Sequence, residues 1–83
     1  MIKIRNIFER KEVFDYLFKR GLVKQYKKAK RFLLAGSSQQ VQFKKRNPAG
    51  NGIWYFRINK KYRALCVFNK ENDLIVFEID DHQ

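Results

Sequence analysis

The sequence predicts an α+β domain: an N-terminal helical hairpin packed on one face of a mainly antiparallel, four-stranded twisted sheet. Three observations predict it. Apolar residues recur at helical spacing through the first half of the chain and alternate with polar ones beyond Gln40. The alternating segments are joined by short polar connections, which make antiparallel neighbours. The chain has 83 residues, room for a single core, so residues 1–83 are read as one domain.

The elements follow in order. "MIKIRNI" reads either as a short first strand or as an extended arm. From Phe8 to Arg20, Val13/Leu17 and Phe14/Phe18 recur four apart and give a helix with an apolar face, which Gly21 stops. A second helix carries Leu22, Tyr26, Ala29 and Leu33 on one stripe, with Lys24, Lys27, Lys28 and Arg31 mostly away from it. Gly36 and "SSQQ" end that helix. "VQF" (Val41 to Phe43) reads as a strand, and "KKRNPAGNG" (Lys44 to Gly52) as a basic loop. Strands are then expected at Ile53–Ile58, Tyr62–Phe68 and Leu74–Ile79, separated by "NKK" and "NKEND".

Composition narrows the function classes. One cysteine, Cys66, forms no internal disulfide, and with one histidine it does not furnish a zinc site, so no metal and no cofactor are expected. Cys66 is read as a small buried apolar residue. Stability must come from a core drawn from 45% hydrophobic residues, rich in Phe (8) and Tyr (4). No run approaches the roughly 20 apolar residues of a membrane span, and the N-terminus lacks the apolar stretch of a signal peptide. A cytoplasmic protein with no membrane partner is the expectation.

Charge is the strongest global signal. Lys and Arg number 19 against 8 Asp and Glu, a formal net charge of +11. Every basic residue lies in residues 1–70, where only Glu9, Glu12 and Asp15 oppose them. A small domain of this kind is built to meet a polyanion, RNA or DNA first among them.

Alternation places part of that charge. If Trp54, Phe56 and Ile58 face the helices, Ile53, Tyr55 and Arg57 face away. On the next strand Ala64, Cys66 and Phe68 share the core face, leaving Arg63, Leu65 and Val67 with Arg57 on the other. An open sheet face carrying two arginines beside a Lys/Arg loop is an anion site.

The segment "GIWYFRINKKYR", followed by a polar turn, an apolar strand and the terminal "DDHQ", resembles the C-terminal half of RelE/ParE-superfamily toxins, and within them the YoeB and HigB branches. The matching features are Gly52 to Trp54, the Tyr62–Arg63 pair and His82 near the chain end; "MIKIRNIFERKEVFDYLFKRG" also resembles the start of HigB-type chains. The resemblance implies a RelE-like fold and a toxin of a type II toxin–antitoxin system. It also implies ribosome-dependent cleavage of mRNA in the 30S decoding site, inhibition of translation, and a cognate antitoxin partner. The other function class is a non-enzymatic toxin: a ParE-like gyrase inhibitor or a basic RNA-binding module without catalysis.

Metal-free RNA cleavage requires cations against the charge that develops at phosphorus and groups that move protons. Arg57 and Arg63 offer planar donors to phosphate oxygens, Lys44 a further cation, and His82, with a reference pKa near ~6.5, the proton-transfer group. These four are the expected catalytic residues. Tyr62, Lys45, Arg46, Lys60, Lys61 and Asp81 are the expected substrate-binding ones. The chain departs from the YoeB pattern where a glutamate is expected upstream of "GIW", offering Gln40, Gln42 and Lys44 instead, and Gln83 replaces the terminal Tyr.

Overall fold

The computed structural model describes residues 4–46 and 52–81. It consists of β1 (Ile7–Glu9), α1 (Lys11–Lys19), α2 (Val23–Leu34), a 3-10 turn (Ser38–Val41), β2 (Lys44–Lys45), β3 (Trp54–Arg57), β4 (Tyr62–Phe68) and β5 (Leu74–Asp81). The strands form one sheet in the order β1-β5-β4-β3-β2. Both helices bury their apolar stripes on the same face of it. Val13 and Leu17 of α1 and Tyr26, Ala29 and Leu33 of α2 join Phe56, Ile58, Ala64, Cys66, Leu74 and Val76 in one core. No described helix is long and apolar enough to cross a membrane.

Two glycines make the helical part possible. Gly21 and Gly36 hold φ of 68° and 85°, a region that costs other L-residues steric strain. Each closes its helix with the same pair of bonds. The N–H of Gly21 bonds to the carbonyl of Phe18 and that of Leu22 to Leu17; the N–H of Gly36 bonds to Leu33 and that of Ser37 to Phe32. These Schellman caps satisfy carbonyls that the helix leaves without partners. The two connections that open with asparagine are also locally determined. Asn59 Oδ1 accepts the N–H groups of Lys61 and Tyr62, and Asn69 Oδ1 those of Glu71 and Asp73.

Several expectations are corrected. Among the described residues the sheet has five strands, and it is mixed, because β1 pairs with β5 in parallel while the other three pairings are antiparallel. The first helix starts at Lys11 rather than Phe8, since Phe8 pairs with Ile75 and the Arg10 N–H still bonds to Val76. Phe14 and Phe18 do not belong to the buried face: they are 45% and 72% exposed, and only Val13 and Leu17 of that pattern are buried. "VQF" is not a strand. Val41 ends the 3-10 turn and Gln42 takes a left-handed conformation (φ 52°), which breaks the extended run. The next strand is instead made by Lys44 and Lys45, assigned from sequence to a loop; their backbones pair with Tyr55 and Trp54.

One irregularity bears on function. Between β4 and β5 the register shifts at Leu65/Cys66, so that Cys66 opposes Val76 while Leu65 opposes Glu78 and Phe77 is left over. Such a bulge resets the alternation of a strand. Leu74 and Val76 are buried on the helix side, and after the shift Ile79 is buried there too. Glu78 and Asp80 consequently turn to the face away from the helices.

Candidate active site on the open sheet face

Arg57 and Arg63 are direct cross-strand partners in β3 and β4 and so share one face, opposite the helices. Asp80 of β5 opposes Arg63 and continues the row. A neighbouring row crosses the sheet from Lys44 through Tyr55 and Leu65 to Glu78. Like charges directly opposite each other in a sheet are destabilising. The fold nevertheless keeps two of them in register, an arrangement whose repulsion an anion would offset.

Other contacts orient both guanidiniums. Arg57 Nε donates to the carbonyl of Asn59 at 3.1 Å, which leaves its terminal N–H groups for a ligand. The Arg63 guanidinium lies 4.8 Å from the centre of the Tyr55 ring, a cation–π contact that holds it against the sheet. Among the described residues neither arginine forms an ion pair, not even Arg63 with the Asp80 opposite it; the two described pairs are Lys30–Glu9 and Lys61–Asp81. Leu65, beside this row, is only 3% exposed, so the face has an apolar floor at its centre.

The predicted site residues divide between the two faces. Lys44 opposes Tyr55 and lies with the arginines, on a strand rather than a loop. Lys45 is on the other face, its Nζ 5.5 Å from the centre of the Trp54 ring. Arg46 follows β2, its N–H bonded to the carbonyl of Ile53. Tyr62 is not brought to the arginine face. It shares the helix side with Ala64 and packs edge-on against Tyr16 of α1, ring centres 6.4 Å apart. Lys61 sits over Tyr62 and pairs with Asp81 at 3.8 Å, so these two also stand apart from the arginines. Lys60 borders a cavity beside α2. His82 lies outside the described residues, one position beyond the end of β5.

Two groups on this face were not given their place or their role by the sequence. Tyr55 was placed on it but given no role; the guanidinium it supports is that of Arg63, its diagonal neighbour on β4, which only the cross-strand register reveals. Asp80 required the bulge, which alternation alone does not announce. Away from the site, Tyr26 donates to Glu9 Oε2 at 2.6 Å and Lys30 donates to the same oxygen at 2.8 Å, tying α2 to β1. Burial, then the bond to Glu9 and its charge, push the Tyr26 hydroxyl far above its ordinary value. Burial likewise raises the Cys66 thiol, which stays protonated and unreactive in the folded state.

No family model matches the chain, and no curated protein matches its sequence. Its fold does match solved structures. A YoeB dimer from Staphylococcus aureus superposes with a TM-score of 0.67 at 16% identity, covering 94% of this chain and 97% of that one. A YoeB–YefM complex from the same organism superposes with a TM-score of 0.65, at the same identity and coverage. The chain therefore has the RelE-like YoeB fold along nearly its whole length, as the resemblance in sequence implied.

Proposed function

We propose that this chain is the toxin of a type II toxin–antitoxin system and a ribosome-dependent, metal-free mRNA endoribonuclease. The observation that carries the reading is the in-register Arg57/Arg63 pair, unpaired by any described carboxylate, with Lys44 in the next row of the same face. In the reaction the ribose 2′-oxygen attacks the adjacent phosphorus, its proton is taken up by a base, and the bond to the 5′-oxygen breaks with that oxygen protonated as it leaves. Arg63 and the terminal N–H groups of Arg57 bind the non-bridging oxygens, where charge grows in the transition state. Arg63, held on the Tyr55 ring, needs little reorganisation as that charge appears. His82 moves the proton at the leaving oxygen, and Lys44 adds charge stabilisation.

The YoeB–YefM neighbour supports an antitoxin as partner. The exposed Phe14 and Phe18 on α1 and Leu34 on α2 offer apolar anchors for a chain that wraps the helices. The test is primer extension on mRNA after induction, comparing wild type with His82→Ala. Codon-phased cleavage ends with wild type, absent with the variant, are the expected result. Growth arrest without any cleavage would instead support the non-enzymatic class.

A further inference from the structure

A second basic concavity lies off the arginine face. β2 covers only Trp54 and Tyr55, so the end of β3 from Phe56 onward is not covered by a strand among the described residues. Between this edge, α2 and the 3-10 turn is a cavity of about 370 Å³, toward the small end of the range for small-ligand pockets. Its rim carries Lys28, Lys60 and Arg57, none of which is ion-paired among the described residues. Its walls include Phe32 and Ile58, and Gln25 and Gln40 add carboxamides. Asn59 fixes one of them: its Nδ2 donates to Gln25 Oε1 at 2.8 Å, so the Gln25 amino group is left to donate elsewhere.

We propose that this cavity binds a nucleoside monophosphate unit, with the phosphate on Lys28, Lys60 and the terminal N–H groups of Arg57 and the base against Phe32 and Ile58. The carboxamides supply the paired donor and acceptor that a base edge requires. The backbone of an acidic peptide would meet the carboxamides and its carboxylates the cations, but it brings no flat apolar group to Phe32 and Ile58, so the nucleotide is the better fit. The unit is either a free nucleotide or one residue of a nucleic acid strand. The proposal goes beyond the cleavage reading, because it shares only Arg57 with the open face and requires no chemistry.

The experiment is an amide-resolved NMR titration of the intact chain with the four ribonucleoside monophosphates, a 2′-O-methyl tetranucleotide that lacks the reacting hydroxyl, inorganic phosphate and an Asp-rich hexapeptide. Nucleotides should shift Gln25, Lys28, Phe32 and Asn59 and bind at least about fivefold more tightly than phosphate, as expected for one stacked base. Lys28→Ala should weaken nucleotide binding about tenfold, the effect of losing one charge-assisted contact, while Lys70→Ala, which removes the same charge from the β4–β5 connection away from the cavity, leaves it unchanged. A tetranucleotide that binds more tightly through the same amides identifies a strand as the source; equal affinities identify the free nucleotide. Phosphate binding as tightly as nucleotide, a peptide shifting the same amides more strongly, or Lys28→Ala without effect would each overturn the proposal. Because the titration reads binding at the amides of Gln25, Lys28, Phe32 and Asn59 and needs no cleavage, while Arg63→Ala tests cleavage on ribosomes, failure of either reading is visible independently of the other.

Discussion

Replacing Arg63 by alanine separates catalysis from folding, and the structure sets both magnitudes. The substitution removes the cation–π contact with Tyr55, about 0.5–1 kcal/mol for a partly exposed pair. It also relieves the repulsion of two guanidiniums in register, about 0.2–1 kcal/mol of opposite sign. The net change is below about 1 kcal/mol, which in a domain of this size moves the melting temperature by less than about 8 °C. Cleavage should fall about 10²–10³-fold, the cost of removing one preorganised donor to a developing oxyanion, equivalent to about 2.7–4 kcal/mol. Arg63→Lys should restore little, because an ammonium lacks the planar fork and stacks poorly on Tyr55. The assay is single-turnover cleavage on programmed ribosomes, with thermal denaturation and ribosome binding measured on the same preparations. An Arg63→Ala protein that cleaves within threefold of wild type would refute the assignment of this face as the active site.

Three further outcomes are expected. Lys44→Ala should reduce cleavage by up to about 10²-fold while Lys45→Ala leaves it near wild type, because adjacent residues of β2 face opposite sides of the sheet; equal effects in the same cleavage assay would contradict the placement. If Arg57, Arg63 and Lys44 each neutralise one phosphate, affinity for a short single-stranded RNA should drop about 18-fold when salt is raised fourfold, and a flat response in fluorescence anisotropy would exclude this contact set. Tyr26→Phe should destabilise the fold by about 1.5–3 kcal/mol through the lost bond to Glu9. Because the Tyr26 pKa is raised on folding, its stabilisation is complete below the ordinary tyrosine value near ~10 and is lost as pH rises beyond it. In chemical denaturation the wild type should therefore lose more stability above that pH than the Phe variant, which keeps only the loss from the buried Cys66 thiol.

The order of elements and the arginine face were legible in the sequence because they depend on local rules. Gly21 and Gly36 punctuate the helices, asparagines open both β-turns, and alternation over Trp54–Arg57 and Tyr62–Phe68 determines which side chains share a face. Long-range contacts decided the rest. Phe8 is a strand residue because β5 lies beside it, and Lys44 and Lys45 are extended because β3 offers partners, neither of which their own neighbours in sequence reveal. The bulge opposite Leu65/Cys66 is the sharpest case. It lets Leu74, Val76 and Ile79 all reach the helix-side core, and the same shift delivers Asp80 to the arginines. A one-residue slip reverses every later side chain of a strand, and whether it occurs is settled by the packing of the whole sheet against its helices.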